Sequence, residues 1–356
     1  MIPTITSATA QSQFQVLLKK FSQDVLHDHQ AGMSVTDGRV MVETLDAYNI
    51  AIPKMGTIEF RDISRGTVPP LSQYTSIPLK DRLLFVNWKA VQNIRRIDHD
   101  LESHIQFQSN YQISVKKAYH RKKDQTVFAA MLANAPEKNE DETNYGQVTT
   151  TSIALPTANV FRVDTTVSGF NLKNLLSFIR QKFEEANVGY QGEKIYCTAT
   201  PIIKALLKRE TEYISGDYRQ NKPLGEMDSL MDETNFADIT FVKTPRDLIP
   251  DVNNTLNSLK YETSSGSAVE VDYLGGKLTG VSAVSSTGTV TATKAQGFRP
   301  VIFWTKESTK RGEHSRGMRT ILYLDPQRMN SPAIQHDFFT GAVRLYEDSV
   351  YVLLLK

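Results

Sequence analysis

Cysteine and long apolar stretches are both scarce in this chain. One cysteine, Cys197, stands among 356 residues, which excludes an internal disulfide framework and suits a reducing compartment. Cys197 lies in an apolar stretch with no basic or histidine neighbour close by, the setting of a buried inert thiol rather than a nucleophile. The longest apolar runs, near Val301 to Trp304 and Tyr351 to Leu355, fall far short of the roughly 20 residues a bilayer-spanning helix needs. The N-terminus, Met-Ile-Pro-Thr-Ile-Thr-Ser, has no basic region followed by an apolar core, and its Met1 carries the expectation that no pro-segment has been removed. No charge sign dominates either. The 41 basic and 39 acidic residues leave a formal charge of +2, which argues against wholesale wrapping of nucleic acid and leaves any basic surface to local clusters. The expectation is a cytosolically made, non-membrane, globular chain of two or more domains.

Sites for chemistry are also missing. Gly275-Gly276-Lys277-Leu278-Thr279 has Leu278 where a phosphate loop needs a hydroxyl residue, and the upstream glycine spacing is absent. His27, Asp28 and His29 diverge around a helix and read as a solvated face. Asp98, His99, Asp100 and Glu102 precede a helix, whose dipole already favours carboxylates there. No Ser/His/Asp motif occurs, so no catalytic, cofactor or metal residues are expected.

What is present begins with Asn49 to Ile97, two extended segments joined by a turn at Gly66 to Pro70. Ile50, Ile52, Ile58 and Phe60 punctuate the first limb, and Leu84, Val86, Trp88 and Ala90 alternate in the second. Pro53 and Pro78 belong at an edge or a bend. Limbs of about 12 residues would reach roughly 40 Å, and an isolated two-stranded ribbon is marginal in water, so something must cover it. A neighbouring subunit is the expected cover, with Met55, Ile58, Phe60, Tyr74, Ile77 and Leu79 as the candidate contact residues.

Around the hairpin the pattern predicts an amphipathic helix over Ser12 to His29 and a long helix over Ser103 to Ala135, ended by Pro136. Only Val127 to Leu132 of the long helix reads as buried all round. Glu137 to Asn144 reads as an acidic loop, and Gly146 to Val167 as strands. A helix over Asn171 to Asn187, a strand over Lys194 to Thr198 and a helix opened by Pro201 form an α/β unit. Thr211 to Gly225 reads as a polar loop, and Asn253 to Gly297 as a small β insertion or a loop. Four β segments from Phe298 onward close the chain. Two basic clusters stand out: Lys116, Lys117, Arg121, Lys122 and Lys123 are candidate DNA-facing or ion-pairing residues, and Lys306, Lys310, Arg311, Arg316 and Arg319 read as a loop.

In this order the elements resemble the major capsid protein of tailed bacteriophages, an α+β chain of the Hong Kong 97-type fold. The resemblance rests on Arg96-Ile97-Asp98-His99-Asp100-Leu101-Glu102 before a helix ending Phe128-Ala129-Ala130-Met131-Leu132-Ala133-Asn134-Ala135. It rests also on Ile195-Tyr196-Cys197-Thr198-Ala199-Thr200-Pro201 and Phe339-Thr340-Gly341-Ala342-Val343-Arg344. It implies an N-terminal arm over 1–48, an extended β-hairpin loop over 49–97 lying on an adjacent subunit, and a peripheral domain with a spine helix over 98–169. It further implies an axial domain over 170–297 and a return to the peripheral domain over 298–356. The implied function is self-assembly, without catalysis or cofactor, into pentamers and hexamers of an icosahedral virion shell around double-stranded DNA, in the host cytoplasm. Implied partners are identical subunits, scaffolding, portal or decoration proteins, and non-specifically held DNA. Lys54 or Lys80 would be the hairpin lysines for any covalent cross-link, against the plainer reading of solvated side chains. The competing readings are another self-assembling virion protein, such as a tube or decoration protein, and a two-domain α/β enzyme.

Overall fold

A computed structural model describes residues 34–55, 79–94, 107–140, 148–188, 193–210, 233–245, 248–249, 269–273, 276–283, 299–315, 317–325 and 331–355. The expected helix over Ser12 to His29, the polar loop from Thr211, the Asp98 to Glu102 run and the hairpin turn lie outside these residues.

The largest unit is an eight-stranded sheet whose order is β11-β12-β7-β17-β13-β8-β10-β9. Its strands are β7 (Val160–Val163), β8 (Ile195–Ala199), β9 (Glu233–Phe236), β10 (Ile239–Lys243), β11 (Val269–Tyr273), β12 (Gly276–Ala283), β13 (Arg299–Thr305) and β17 (Val350–Leu355). The two central strands are apolar at nearly every position because both faces of the sheet are covered. Tyr351, Leu353 and Leu355 of β17 and Val301 and Phe303 of β13 point to one face. There they meet α2 (Leu172–Glu185) through Leu172, Leu175, Leu176, Ile179 and Phe183. The other face carries Val350, Val352, Leu354, Ile302 and Trp304 and packs against Val127, Phe128 and Met131 of α1 (Phe107–Leu132). Cys197 lies in β8 with no exposure, and burial pushes its thiol pKa up, as suits an inert core residue.

The helices start and stop for local reasons. Asn171 caps α2, its side chain accepting a hydrogen bond from the Asn174 amide at 3.2 Å. α3 (Pro201–Leu207) opens with proline in its first turn, where a missing N–H costs nothing. α1 ends at Leu132, earlier than the expected Pro136 boundary. Its end is capped from a distance: the Arg344 guanidinium donates to the Met131 and Ala133 carbonyls at 2.8 and 2.6 Å.

A five-stranded sheet holds β1 (Met41–Leu45), β4 (Asn87–Ile94), β14 (Thr309–His314), β15 (Arg319–Asp325) and β16 (Ser331–Arg344), with β16 at its centre. A four-stranded sheet runs β2-β3-β5-β6, from β2 (Asn49–Met55), β3 (Leu79–Phe85), β5 (Ala135–Glu140) and β6 (Val148–Ile153). Three expectations are corrected here. Glu137 to Glu140 belong to a strand, because β5 pairs with both β3 and β6. The second basic cluster is no loop, since Lys310 and Arg311 sit in β14 and Arg319 opens β15. The closing segments divide between two sheets: β13 and β17 join the large sheet, while β14, β15 and β16 belong to the five-stranded one. Part of the Ser/Thr/Gly-rich stretch is an ordered β11-β12 pair that extends the large sheet through β7.

The third correction bears on function. Leu84, Val86, Trp88 and Ala90 do not lie on one covered strand. The chain changes sheet at Val86, so Leu84 and Val86 are buried while Trp88 is 53% exposed. At this crossover the chain passes over a glycine pair, Gly312 opposite Gly341. A Cβ on Gly341 would overlap the Phe85 carbonyl oxygen, and one on Gly312 would come within 2.8 Å of Leu84 and 2.9 Å of Leu45. These glycines are required by close approach of backbone rather than by a turn. Gly341→Ala is therefore expected to destabilise the fold by about 1–3 kcal/mol, the usual cost of overpacking, read as a lower urea midpoint. An unchanged midpoint would contradict the close crossing.

Candidate assembly surface

The hairpin limbs β2 and β3 pair in antiparallel register from Asn49 opposite Phe85 to Met55 opposite Leu79. Residues 56–78 follow beyond that last pair. Met55 and Leu79 thus stand together where the described ribbon ends; Ile58, Phe60, Tyr74 and Ile77 lie outside the described residues. The foot of the ribbon needs no neighbour to cover it. Leu45, Leu84, Val86, Ala135, Val343 and Leu345 form a small core of their own there.

Beside that core sits a buried ionic node. Arg82, 2% exposed, reaches Glu347 at 2.5 Å and Glu137 at 3.2 Å. Lys54 pairs with the same Glu347 at 3.3 Å and lies over the Tyr346 ring. Arg344, fully buried, adds a second guanidinium, which also donates to Ile153 O at 3.0 Å. Burial, only partly offset by Glu347, lowers its pKa to about 10, so it remains a cation at neutral pH. Asn159 holds the turn itself, donating to the Glu347 and Val350 carbonyls at 2.7 and 3.2 Å. One turn between β16 and β17 thereby grips both hairpin limbs, so Lys54 is no solvated hairpin lysine. The Lys80 side chain is outside the described residues.

A second node fixes the segment that leads out of the N-terminal region. Asp124 of α1, fully buried, accepts from the Ser34 hydroxyl at 2.6 Å, the Val35 amide at 2.8 Å, and the Thr36 amide and hydroxyl at 3.1 and 2.7 Å. Arg311 donates to Thr36 Oγ1 and to Asp37. Burial raises the Asp37 pKa, but the Arg311 hydrogen bond and charge outweigh it and hold the carboxyl below its ordinary value. Trp304 donates from its indole nitrogen to Arg39 O at 3.0 Å. Residues 34–39 are therefore rooted in α1, β14 and the large sheet together.

The basic run on α1 does not act as one patch. Lys123 is buried and paired with Glu313 at 2.7 Å and Asp37 at 3.6 Å, so it belongs to the arm node rather than to a DNA-facing surface. Lys116 and Lys122 are exposed, and Lys117 and Arg121 half-buried. Arg121 and Lys122 line a groove of about 530 Å³ between α1 and β4, with Lys89, Trp88, Tyr119 and Phe338. Lys89 and Trp88 carried no local signal for this; only the pairing of β4 with β16 brings them beside α1. Among the described residues there is no cluster of potential metal ligands, and no helix is long and apolar enough to cross a membrane.

Comparisons with known proteins agree with this architecture. A family model described as phage capsid protein matches residues 14–355. The capsid structure of the cyanophage P-SCSP1u aligns with a TM-score of 0.57 and 14% identity, covering 94% of this chain and 92% of that one. The asymmetric unit of the bacteriophage PhiM1 mature capsid aligns at 0.55 and 13% identity, covering 94% and 91%. The structure from Microbacterium phage Oxtober96 aligns at 0.53 and 11% identity, covering 99% and 100%. At these identities the likeness is one of fold, the α+β Hong Kong 97-type. No curated protein matches the chain.

The node at the hairpin foot makes a quantitative prediction. Arg82→Met removes the guanidinium that pairs with buried Glu137 and is expected to cost about 3–5 kcal/mol, whereas Arg82→Met combined with Glu137→Leu should recover part of that loss. A double-mutant cycle on urea midpoints measures the coupling; additive losses would mean that the pair is not joined in the fold.

Proposed function

The chain belongs to the phage capsid protein family, and from that premise we propose that it assembles through its hairpin and N-terminal arm into pentamers and hexamers of an icosahedral shell enclosing double-stranded DNA. As a major capsid protein it forms a virion shell, a structural role. The observation that supports the finer reading is the contrast along the hairpin. Its foot is locked by Arg82, Glu137 and Glu347, while the paired limbs continue past that anchor to Met55 opposite Leu79. A ribbon anchored at one end suits a clasp over an adjacent subunit, and permanent assemblies of this kind bury roughly 2,000 Å² or more.

The proposed division is an arm over 1–48, the clasp over 49–97, a peripheral domain with α1 as spine over 98–169, an axial domain over 170–297 and a closing segment over 298–356. Sheet membership refines it, since β7, β13 and β17 share the large sheet with β8 and β10. Assembly would take place in the host cytoplasm, with scaffolding, portal or decoration proteins as further partners. Packaged DNA would be touched weakly, with exposed Lys116 a candidate contact.

Electron microscopy of the purified chain, alone and co-expressed with a scaffolding protein, tests this reading. Closed shells with five- and six-fold clusters are expected. Uniform tubes would favour a tube protein instead, and monomers under both conditions would overturn the shell.

A further inference from the structure

The groove between α1 and β4 has a chemistry that the fold alone leaves unused. One wall is the face of β4 and β16 that carries Lys89, Val91 and Phe338; the other is the side of α1 that carries Val115, Tyr119 and Lys122. Phe338 and Tyr119 close its floor edge to face, with ring centroids 4.6 Å apart. Its mouth stays apolar, with Trp88 53% exposed and Val91 41% exposed. Among the described residues β4 is also a sheet edge. β16 pairs with it on one side, and among the described residues no strand pairs with it on the other, which leaves a row of peptide groups able to take an extended segment.

Among the described residues the charges at this mouth, Lys89, Arg121 and Lys122, have no carboxylate counterpart. Burial and the positive charge of Lys122 together hold the Lys89 amine below its ordinary pKa. Two cations sharing a partly desolvated site repel each other until an anion arrives from outside. A nucleic-acid backbone would meet the charge but leave the apolar walls uncovered. An acidic peptide carrying an aromatic side chain meets both.

The chain contains such a segment. β5 and β6 form a hairpin whose outermost pair is Glu140 opposite Val148, and the connection reads Asp141-Glu142-Thr143-Asn144-Tyr145-Gly146-Gln147. Within β5, Glu137 is held by Arg82, so the foot of this hairpin is fixed in the ionic node and the Glu140–Val148 pair stands at its other end. Building on the reading of the chain as a shell subunit, we propose that the α1–β4 groove of one copy takes the acidic connection Asp141 to Tyr145 of a second copy. Asp141 and Glu142 lie against Lys89 and Lys122, and Tyr145 covers the apolar wall.

Because Cys197 is fully buried, a thiol-specific cross-linker reacts with introduced surface cysteines alone. Full-length chains carrying Met318→Cys are mixed with full-length chains carrying Glu142→Cys, co-assembled and treated with a short bis-maleimide. A covalent dimer containing one chain of each kind is expected, with neither chain alone giving it. In a separate arm, Lys89→Glu/Lys122→Glu should lower the yield of closed shells at least ten-fold while leaving far-UV circular dichroism and the urea midpoint of the monomer unchanged. Adding Asp141→Lys/Glu142→Lys to that chain should restore the shells. Closed shells without the mixed dimer, normal shells from Lys89→Glu/Lys122→Glu, or failure of the charge swap to restore them would each overturn the proposal. So would a groove variant that keeps the mixed dimer and loses only packaged DNA, which would assign the cations to nucleic acid. Failure of the unmodified chain to form any shell would instead contradict the shell reading, and this proposal with it.

Discussion

A guanidinium buried at the foot of the hairpin, Arg82 between Glu137 and Glu347, is the constraint on which the rest of the arrangement depends. Two strands alone cannot hold a long ribbon in water. Here the first turn of support comes from the same chain, through a pair that lets only one register place Arg82 inside. A slip of one residue would turn Arg82 to the opposite face and bury an apolar neighbour in a charged site. Buried ion pairs contribute little net stability against apolar replacements, but removing one partner is costly. The node therefore acts mainly as a selector of geometry, fixing where the ribbon leaves the body.

Around that selector the remaining layers are conventional hydrophobic construction. α2 and α3 cover one face of the eight-stranded sheet and the end of α1 covers the other. Arg344 joins the two systems, since it caps α1 while standing beside Glu347. Asp124 does the same for the arm, gathering four hydrogen bonds from Ser34, Val35 and Thr36. Both extensions of the subunit thus start from polar nodes rooted in α1 or its cap.

Much of this was legible in the sequence, and the exceptions have physical causes. The stripe of Leu172, Leu175, Leu176, Ile179 and Phe183 announces α2, and the unbroken apolar run of β17 announces a strand covered on both faces. The break at Val86 was hidden because β3 and β4 keep one alternating rhythm while belonging to different sheets. Glu137 to Glu140 looked like loop because their charges suggested solvent, yet Glu137 is held inside by Arg82. Lys122 and Lys123 are adjacent and alike in sequence, but one faces the groove and the other Glu313. Asp124 gave no local sign of its role, since its donors lie 88 to 90 residues away. Long-range polar pairs escape periodicity, which reports only how one element meets its nearest layer.

The proposed clasp is a hairpin anchored in its own subunit and spent on another. Replacing residues 57–77 with a short Gly-Ser turn leaves Arg82, Lys54 and the paired ends of β2 and β3 in place. Electron microscopy of that variant beside the full chain, with circular dichroism as a check on folding, is the most direct measurement. The account predicts a folded subunit that forms no closed shells. Closed shells of normal size from the shortened chain would contradict it.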